Sequence, residues 1–216
     1  MVRTAIRILF SVLVTASVAA YERTLDLRAI DEAIAIGQSR DAAVRLRFHQ
    51  PYRIHVGRPP IDSVDVVTPF RRAELAAEER ARAGDRLFRQ RDALAVVAEH
   101  GDTLQLFVEL TFHPQNTYVG VPAYVVTLAR SDIPARIEPR DEQRIPRFGV
   151  RVNAAPTPLP YPVPPSLPSG GEPLAGGTVI VTFDGRRLDS RTTYEVVIEE
   201  SGKELARSRV DLGKLR

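Results

Sequence analysis

The spacing of hydrophobic residues along the chain changes from a helical period to a strand period. Up to residue 102, apolar side chains recur mainly every three or four positions, whereas from Thr103 to Phe112 they alternate with polar residues. The first spacing places apolar side chains on one face of a helix, and the second places them on one face of a strand. The pattern therefore predicts a helix-rich part over residues 21–102 and a strand-rich part after it.

Capping residues set the limits of the predicted helices. A helix over residues 26–38 begins at an aspartate that can cap it, and a helix over 68–84 begins with Thr-Pro and ends at glycine. A third helix over 85–101 also ends at glycine, so the second and third helices should form a helical hairpin or one helix broken at Gly84. We expect the first helix to pack on a sheet. Residues 39–48 fit either a helix or a connector.

Short alternating segments bounded by turn residues predict the strands. They are residues 62–68, 103–112, 121–129, 135–138, 148–153, 178–183, 192–199 and 203–212, with a short extended piece at 52–56. We expect 103–112 and 121–129 to pair as a hairpin. The predicted fold class is α+β, mainly an antiparallel β-sandwich of about seven strands with an N-terminal helix and a helical hairpin beside it.

A proline-rich tract separates the last strands from the rest. Residues 154–173 hold eight of the 17 prolines, which excludes regular helix and central strand and favours polyproline II. The tract could be a domain linker, a crossover or a recognition segment. Residues 174–216 contain no cysteine and form too short a piece to be stable alone. We therefore expect one domain over 21–216, in which 103–153 and 174–216 supply the sandwich strands and 154–173 is an external crossover.

Residues 1–20 have the pattern of a secretory signal peptide. Arg3 and Arg7 precede an apolar stretch from Ile8 to Ala20 that ends in small residues. That stretch would span roughly 20 Å as a helix, less than the ~30 Å hydrocarbon core, so an uncleaved anchor or a buried helix is the weaker alternative. The interpretation predicts a periplasmic or secreted protein with no integral membrane segment after cleavage.

Cleavage of the signal peptide would lower the net charge of the chain. The chain carries +3, and cleavage after Ala20 removes two arginines and no acidic residue, which leaves +1. The excess of basic residues is then too small to indicate nucleic-acid binding. The lack of cysteine also excludes disulfides, thiolate metal sites, a cysteine nucleophile and a lipid anchor on an N-terminal cysteine.

The most suggestive polar segment is the loop from His113 to Gly120. It gathers His113, Asn116 and Tyr118 at the end of the strongest predicted strand, where a rigid sheet can present binding groups. The simpler interpretation is a structured turn in which Asn116 is left-handed and Tyr118 packs back on the sheet. Together with Tyr161 of the proline-rich tract, these three are the candidate binding residues.

Other polar clusters favour structural interpretations. His49 and His55 would lie about 20 Å apart on an extended strand, so only a bend at Pro51, with Asp62 as a further ligand, could join them in a metal site. Adjacent carboxylates such as Glu78 and Glu79 point apart and predict solvated faces. We predict no metal, cofactor or catalytic residue.

The arginine-rich segment over residues 71–91 is interleaved with acidic residues. Glu78 and Arg82 form an i,i+4 pair within it. This pattern predicts a salt-bridged helix that faces solvent rather than a membrane or nucleic-acid surface.

These patterns favour an exported, non-catalytic binding or assembly module of the cell envelope. A protein partner in the envelope or extracellular space fits the export pattern and the proline-rich tract. The alternative is a secreted hydrolase that combines His113 and Tyr118 with a sequence-distant acid.

The export hypothesis predicts a mature protein that begins at Tyr21. N-terminal sequencing of protein recovered from the periplasm or medium measures this directly. Exported material that still begins at Met1 would contradict cleavage after Ala20.

Overall fold

The computed structural model describes residues 21–130, 132–149 and 173–216, without the side chains of residues 133 and 134. Within these ranges the chain has four α-helices and nine strands, and the strands form two antiparallel sheets. The predicted α+β class with antiparallel sheets is confirmed, and the predicted number of about seven strands is too low. The predicted signal peptide, the proline-rich tract and Tyr161 lie outside the described residues.

The helices lie in the N-terminal half of the chain. They are α1 (Leu27–Gly37), α2 (Ala42–His49), α3 (Pro69–Arg82) and α4 (Gln90–His100). The side chains of Asp26, Asp41 and Thr68 cap the first three by accepting a backbone hydrogen bond. α4 begins later than predicted because the Asp92 carboxylate accepts from the backbone N of Arg89 at 2.9 Å, which places the start of the helix there.

The strands form one sheet of five and one of four in the described part of the chain. They are β1 (Arg53–Arg58), β2 (Ile61–Val67), β3 (Thr103–Thr111), β4 (Tyr124–Arg130), β5 (Ile133–Ile137), β6 (Asp141–Phe148), β7 (Leu174–Asp184), β8 (Thr193–Glu200) and β9 (Lys203–Asp211). The first sheet has the order β1-β2-β3-β7-β6, and the second has the order β5-β4-β8-β9.

The expected hairpin between β3 and β4 is wrong, because these strands belong to different sheets. Leu106 of β3 pairs with Val66 of β2 on one side and with Val181 of β7 on the other. Residues 112–123 between β3 and β4 are also more than the two to five residues typical of a hairpin loop. That connection carries the chain from one sheet to the other.

The segment after the proline-rich tract contributes strands to both sheets. β7 lies between β3 and β6 in the first sheet, and β8 lies between β4 and β9 in the second. One apolar cluster contains buried side chains from both sheets, among them Leu106, Val126, Val181 and Ile198. These strands are therefore held by pairing and by shared apolar packing.

The helices have an apolar cluster of their own. It consists largely of alanine, with Ile30, Phe70 and Phe88 as the largest buried members. Phe48 packs against this cluster and also against the cluster of the sheets. α1 contacts mainly α3 rather than a sheet, contrary to expectation. None of the described helices is both long enough and apolar enough to cross a bilayer.

The first two turns of α3 are buried, which corrects the prediction that this helix faces solvent. The Arg71 guanidinium donates to the carbonyl of Val66 at 2.7 Å and to Asp65 at 2.9 Å. The Arg72 guanidinium donates to the side chain of Gln105 on β3 at 3.1 Å. These arginines join α3 to the first sheet, and only the later turns show the expected surface pair, with Glu78 and Arg82 at 3.0 Å.

The position of β7 predicts the effect of an added methyl group at Gly176. A Cβ there would lie 2.1 Å from the carbonyl oxygen of Leu110 and 2.6 Å from the Arg147 guanidinium. We expect Gly176→Ala to lower the free energy of unfolding by about 1–3 kcal/mol, as overpacking does. Chemical denaturation of the purified protein measures the change.

Gly120→Ala is the matched control, since a Cβ at Gly120 meets nothing within 4 Å. It should change the free energy of unfolding by no more than about 0.5 kcal/mol. Equal stability of the two variants would contradict the placement of β7 between β3 and β6.

Candidate functional site

Three ionisable side chains meet where α2 ends against α3. His49 is the last residue of α2, and Glu74 and Glu78 lie one turn apart on the same face of α3. The Nε2 atom of His49 lies 3.0 Å from Oε2 of Glu78 and 3.5 Å from Oε1 of Glu74. One ligand-type atom from each of the three residues lies within 4.8 Å of the other two. We call these three residues the His-Glu-Glu cluster.

A close approach of α1 covers this part of α3. A Cβ added to Gly37 would lie 2.4 Å from the carbonyl oxygen of Glu74 and 2.8 Å from the backbone N of Glu78. Only glycine allows the two helix backbones to come this near. The side chain of Glu74 is fully buried.

The buried Glu74 carboxyl has no hydrogen-bond partner within the ranges that the structure describes. In the described part of the chain neither of its oxygens has a hydrogen bond, although Oε1 lies 3.5 Å from Nε2 of His49, and Nδ1 of His49 is buried without a hydrogen-bond partner as well. Native proteins rarely leave buried polar side chains unsatisfied, so such groups call for an explanation.

The surroundings shift the two carboxyl groups in opposite directions. Burial, with the nearby Glu78 charge, raises the pKa of Glu74 to about 8, although Arg71 and Arg45 oppose the shift. Burial also acts to raise the pKa of Glu78, but the hydrogen bond with His49 and the charges of His49, Arg82 and Arg45 outweigh it and lower this pKa. Without a bound cation, Glu74 is therefore protonated at neutral pH and Glu78 is ionised.

An open pocket borders the cluster on its Glu78 side. Its volume is about 500 Å³. The charged residues that line it are Arg40, Arg45, Glu78, Arg82, Asp85 and Arg86. Arg45 Nε lies 3.3 Å from Glu78, so this carboxylate belongs to both the pocket and the cluster. We call this space the arginine pocket.

The loop singled out in the sequence is a self-contained turn. The Asn116 amide donates to the carbonyls of His113 at 2.7 Å and Leu174 at 2.9 Å, and its oxygen accepts from the backbone N of Tyr118 at 3.0 Å. The Tyr118 ring packs edge-on against Phe112, with ring centroids 5.0 Å apart. Asn116 closes the loop with its side chain and not with a left-handed backbone, because Ser201 is the only described non-glycine residue with positive φ.

His113 is exposed, and its Nδ1 accepts from the backbone N of Gln115 at 3.2 Å. Across the described ranges, no carboxylate bonds to this imidazole, so the arrangement expected of a hydrolase is not seen there. His113, Asn116 and Tyr118 are thus brought together, whereas Tyr161 lies outside the described residues.

His49 and His55 lie on different elements and do not form the metal site considered for them. His49 belongs to α2 and His55 to the exposed strand β1, and His49 contacts Glu74 and Glu78 instead. The detectable signal was the Glu-x-x-x-Glu spacing of residues 74 and 78, which places two carboxylates on one helix face.

The raised pKa of Glu74 predicts how stability depends on pH. Between about pH 4.5 and 8 the folded protein holds a proton on Glu74 that the unfolded chain has lost. The free energy of unfolding of metal-free protein should therefore fall as pH rises through this range, by up to about 1.4 kcal/mol per pH unit for this group. Glu74→Gln keeps the neutral shape and should remove this contribution, as measured by denaturation at several pH values in EDTA.

Glu79→Gln is the control for this experiment, because Glu79 is exposed on the same helix. It should retain the parental dependence on pH. Parallel stability curves for the parent and Glu74→Gln would show that Glu74 is not a buried neutral acid.

Comparison of the chain with known proteins does not supply a function for this site. No family model, curated protein or solved structure matches this chain. The function must therefore be inferred from the chemistry of the described residues themselves.

Proposed function

We propose that the protein is an exported, non-catalytic binding module of the cell envelope and that its arginine pocket receives an anionic group of the ligand. The observation that carries this proposal is the lining of the pocket, where four arginines face two carboxylates. Guanidinium groups bind carboxylate and phosphate groups through paired, charge-assisted hydrogen bonds.

Two of the four arginines of the pocket form no salt bridge within the described part of the chain. Arg45 and Arg82 both contact Glu78, at 3.3 and 3.0 Å. Arg40 and Arg86 are exposed and form no salt bridge with any carboxylate in the ranges that the structure describes. These two side chains are therefore able to bind an external anion without breaking an existing ion pair.

Several lining residues of the pocket are held by contacts between α1, α2 and α3, although other lining residues are exposed. Gly37 holds α1 against α3, and the Arg45 guanidinium donates to the carbonyl of Ser39. The Gln38 side chain donates to the carbonyl of Phe88 at 3.1 Å and ties the end of α1 to the segment before α4. A site on a rigid support loses little conformational entropy when a ligand binds.

Export is the second part of the proposal. It is supported by the signal-peptide pattern of residues 1–20. The partner in this proposal is a protein or another molecule of the envelope or extracellular space that displays a carboxylate or phosphate group.

We also propose that the two sheets face each other as a β-sandwich. Support comes from the apolar cluster that both sheets share and from the Arg58 guanidinium of β1, which donates to the carbonyl of Leu205 on β9 at 3.5 Å. In this arrangement the sheets are the scaffold and the helices carry the binding surface.

The anion proposal predicts saturable binding of tripolyphosphate to the arginine pocket. At low ionic strength, NMR titration should shift the backbone amides of residues 37–40 together. The double variant Arg40→Ala/Arg86→Ala should weaken binding about tenfold or more, because hydrogen bonds to charged groups contribute about 1.5–3 kcal/mol each. Added salt should weaken binding as well.

The matched control removes the same charge elsewhere. Arg187 and Arg191 are exposed and lie outside the pocket lining, so Arg187→Ala/Arg191→Ala should change the affinity by no more than about twofold. Equal losses in both double variants would indicate a general charge effect and would refute a specific pocket.

A further inference from the structure

We propose that His49, Glu74 and Glu78 together bind a divalent transition-metal ion of the Zn²⁺ type. This inference goes beyond the proposed anion pocket and does not depend on it. It concerns the His-Glu-Glu cluster, of which only Glu78 lines the pocket.

The donor set and its spacing suit such an ion. Zn²⁺ accepts imidazole nitrogen and carboxylate oxygen at about 2.0–2.2 Å, so tetrahedral ligand atoms lie about 3.4 Å apart. Here Nε2 of His49 lies 3.0 Å from Oε2 of Glu78 and 3.5 Å from Oε1 of Glu74. The two separations that involve the imidazole are therefore close to those of a zinc site, and the carboxylate oxygens of Glu74 and Glu78 lie within 4.8 Å of each other.

The state of Glu74 points to a ligand independently of this spacing. Its side chain is fully buried, both carboxylate oxygens lack a hydrogen-bond partner among the described residues, and one of them lies 3.5 Å from Nε2 of His49. A buried carboxylic acid without partners costs free energy that a well-packed apolar residue would not. A cation bound between Glu74 and His49 would satisfy the carboxylate in place.

The charge balance within the cluster suits an ion of charge +2. Two carboxylates and a neutral imidazole balance such an ion, so the bound state adds no net charge to a buried region. The Oε1 atom of Glu78 contacts Arg45 and Arg82, which leaves Oε2 directed at the cluster. These arginines would hold the ligand carboxylate in position as outer-shell groups do.

The surroundings of His49 lower the expected affinity for the metal ion. Nδ1 of His49 has no partner in the described part of the chain, whereas most metal-bound histidines donate their second N–H to an acceptor. We therefore expect binding about 10- to 100-fold weaker than in a zinc site with that acceptor. A proton on Glu74 competes with the metal for the same oxygen, so binding should be measured at about pH 7.5 or above.

The test is a competition titration of the tag-free full chain with ZnCl₂ and a chromophoric chelator after EDTA treatment. We expect about one equivalent of Zn²⁺ to bind per chain. Glu74→Gln and His49→Ala should each lower the affinity at least about tenfold. Circular dichroism and thermal melting of each variant establish that it is folded.

Two controls keep the outcome decisive. His55→Ala removes an exposed histidine, and Glu79→Gln removes an exposed carboxylate from α3, so both should bind Zn²⁺ as the parent does.

If His49→Ala does not fold, the decision rests on Glu74→Gln, which preserves the neutral form of the buried side chain. The proposal is overturned if the parent binds no Zn²⁺, or if folded Glu74→Gln binds as tightly as the parent. Loss of tripolyphosphate binding leaves it unaffected.

Discussion

The contact between α1 and α3 at Gly37 is the constraint on which the candidate sites depend. Because glycine has no side chain, the backbone of α1 reaches the Glu74 carbonyl, and a single added carbon would lie 2.4 Å from that oxygen. The approach covers the middle of α3 and places the ends of α1 and α3 around one pocket. The arginine pocket and the His-Glu-Glu cluster are thus two consequences of one helix contact.

Buried arginines attach this helical layer to the sheets. Arg71 and Arg72 reach from α3 to β2 and β3. The partly buried Arg216 also contacts the helices, with its guanidinium 4.5 Å from the ring centroid of Phe70 and 2.5 Å from Glu32. Arginine suits this role because its long apolar stem can be buried while its planar head bonds to several acceptors. The helices are therefore held by polar links as well as by the alanine-rich packing between them.

Local features of the fold could be predicted from the sequence, and non-local ones could not. Asp26 and Thr68 marked helix starts because a cap acts within three residues. The partner of β3 could not be read in this way, because β7 lies some 70 positions further along the chain and strand pairing is not encoded in alternation alone. The burial of Glu74 was missed for a similar reason. Interleaved charges on α3 indicate a helix face in contact with solvent. The sequence alone does not show that α1 packs against this helix at Gly37.

The same distinction between local and non-local features applies to the candidate site. The Glu-x-x-x-Glu spacing of residues 74 and 78 is visible in the sequence, but His49 joins them only through the path of α2. The loop at His113 attracted attention because it concentrates polar groups, yet those groups bond mainly to one another. Polar residues in a loop can serve the turn itself, whereas a buried acid without partners is harder to explain by structure alone.

The most direct measurement is an anomalous difference map at the zinc edge from crystals of the tag-free protein grown with Zn²⁺. A peak about 2.0–2.2 Å from Nε2 of His49 and from one carboxylate oxygen each of Glu74 and Glu78 is the predicted result. Zinc bound only elsewhere, with Glu74 still buried and without an ion beside it, would contradict a metal site formed by the contact of α1, α2 and α3.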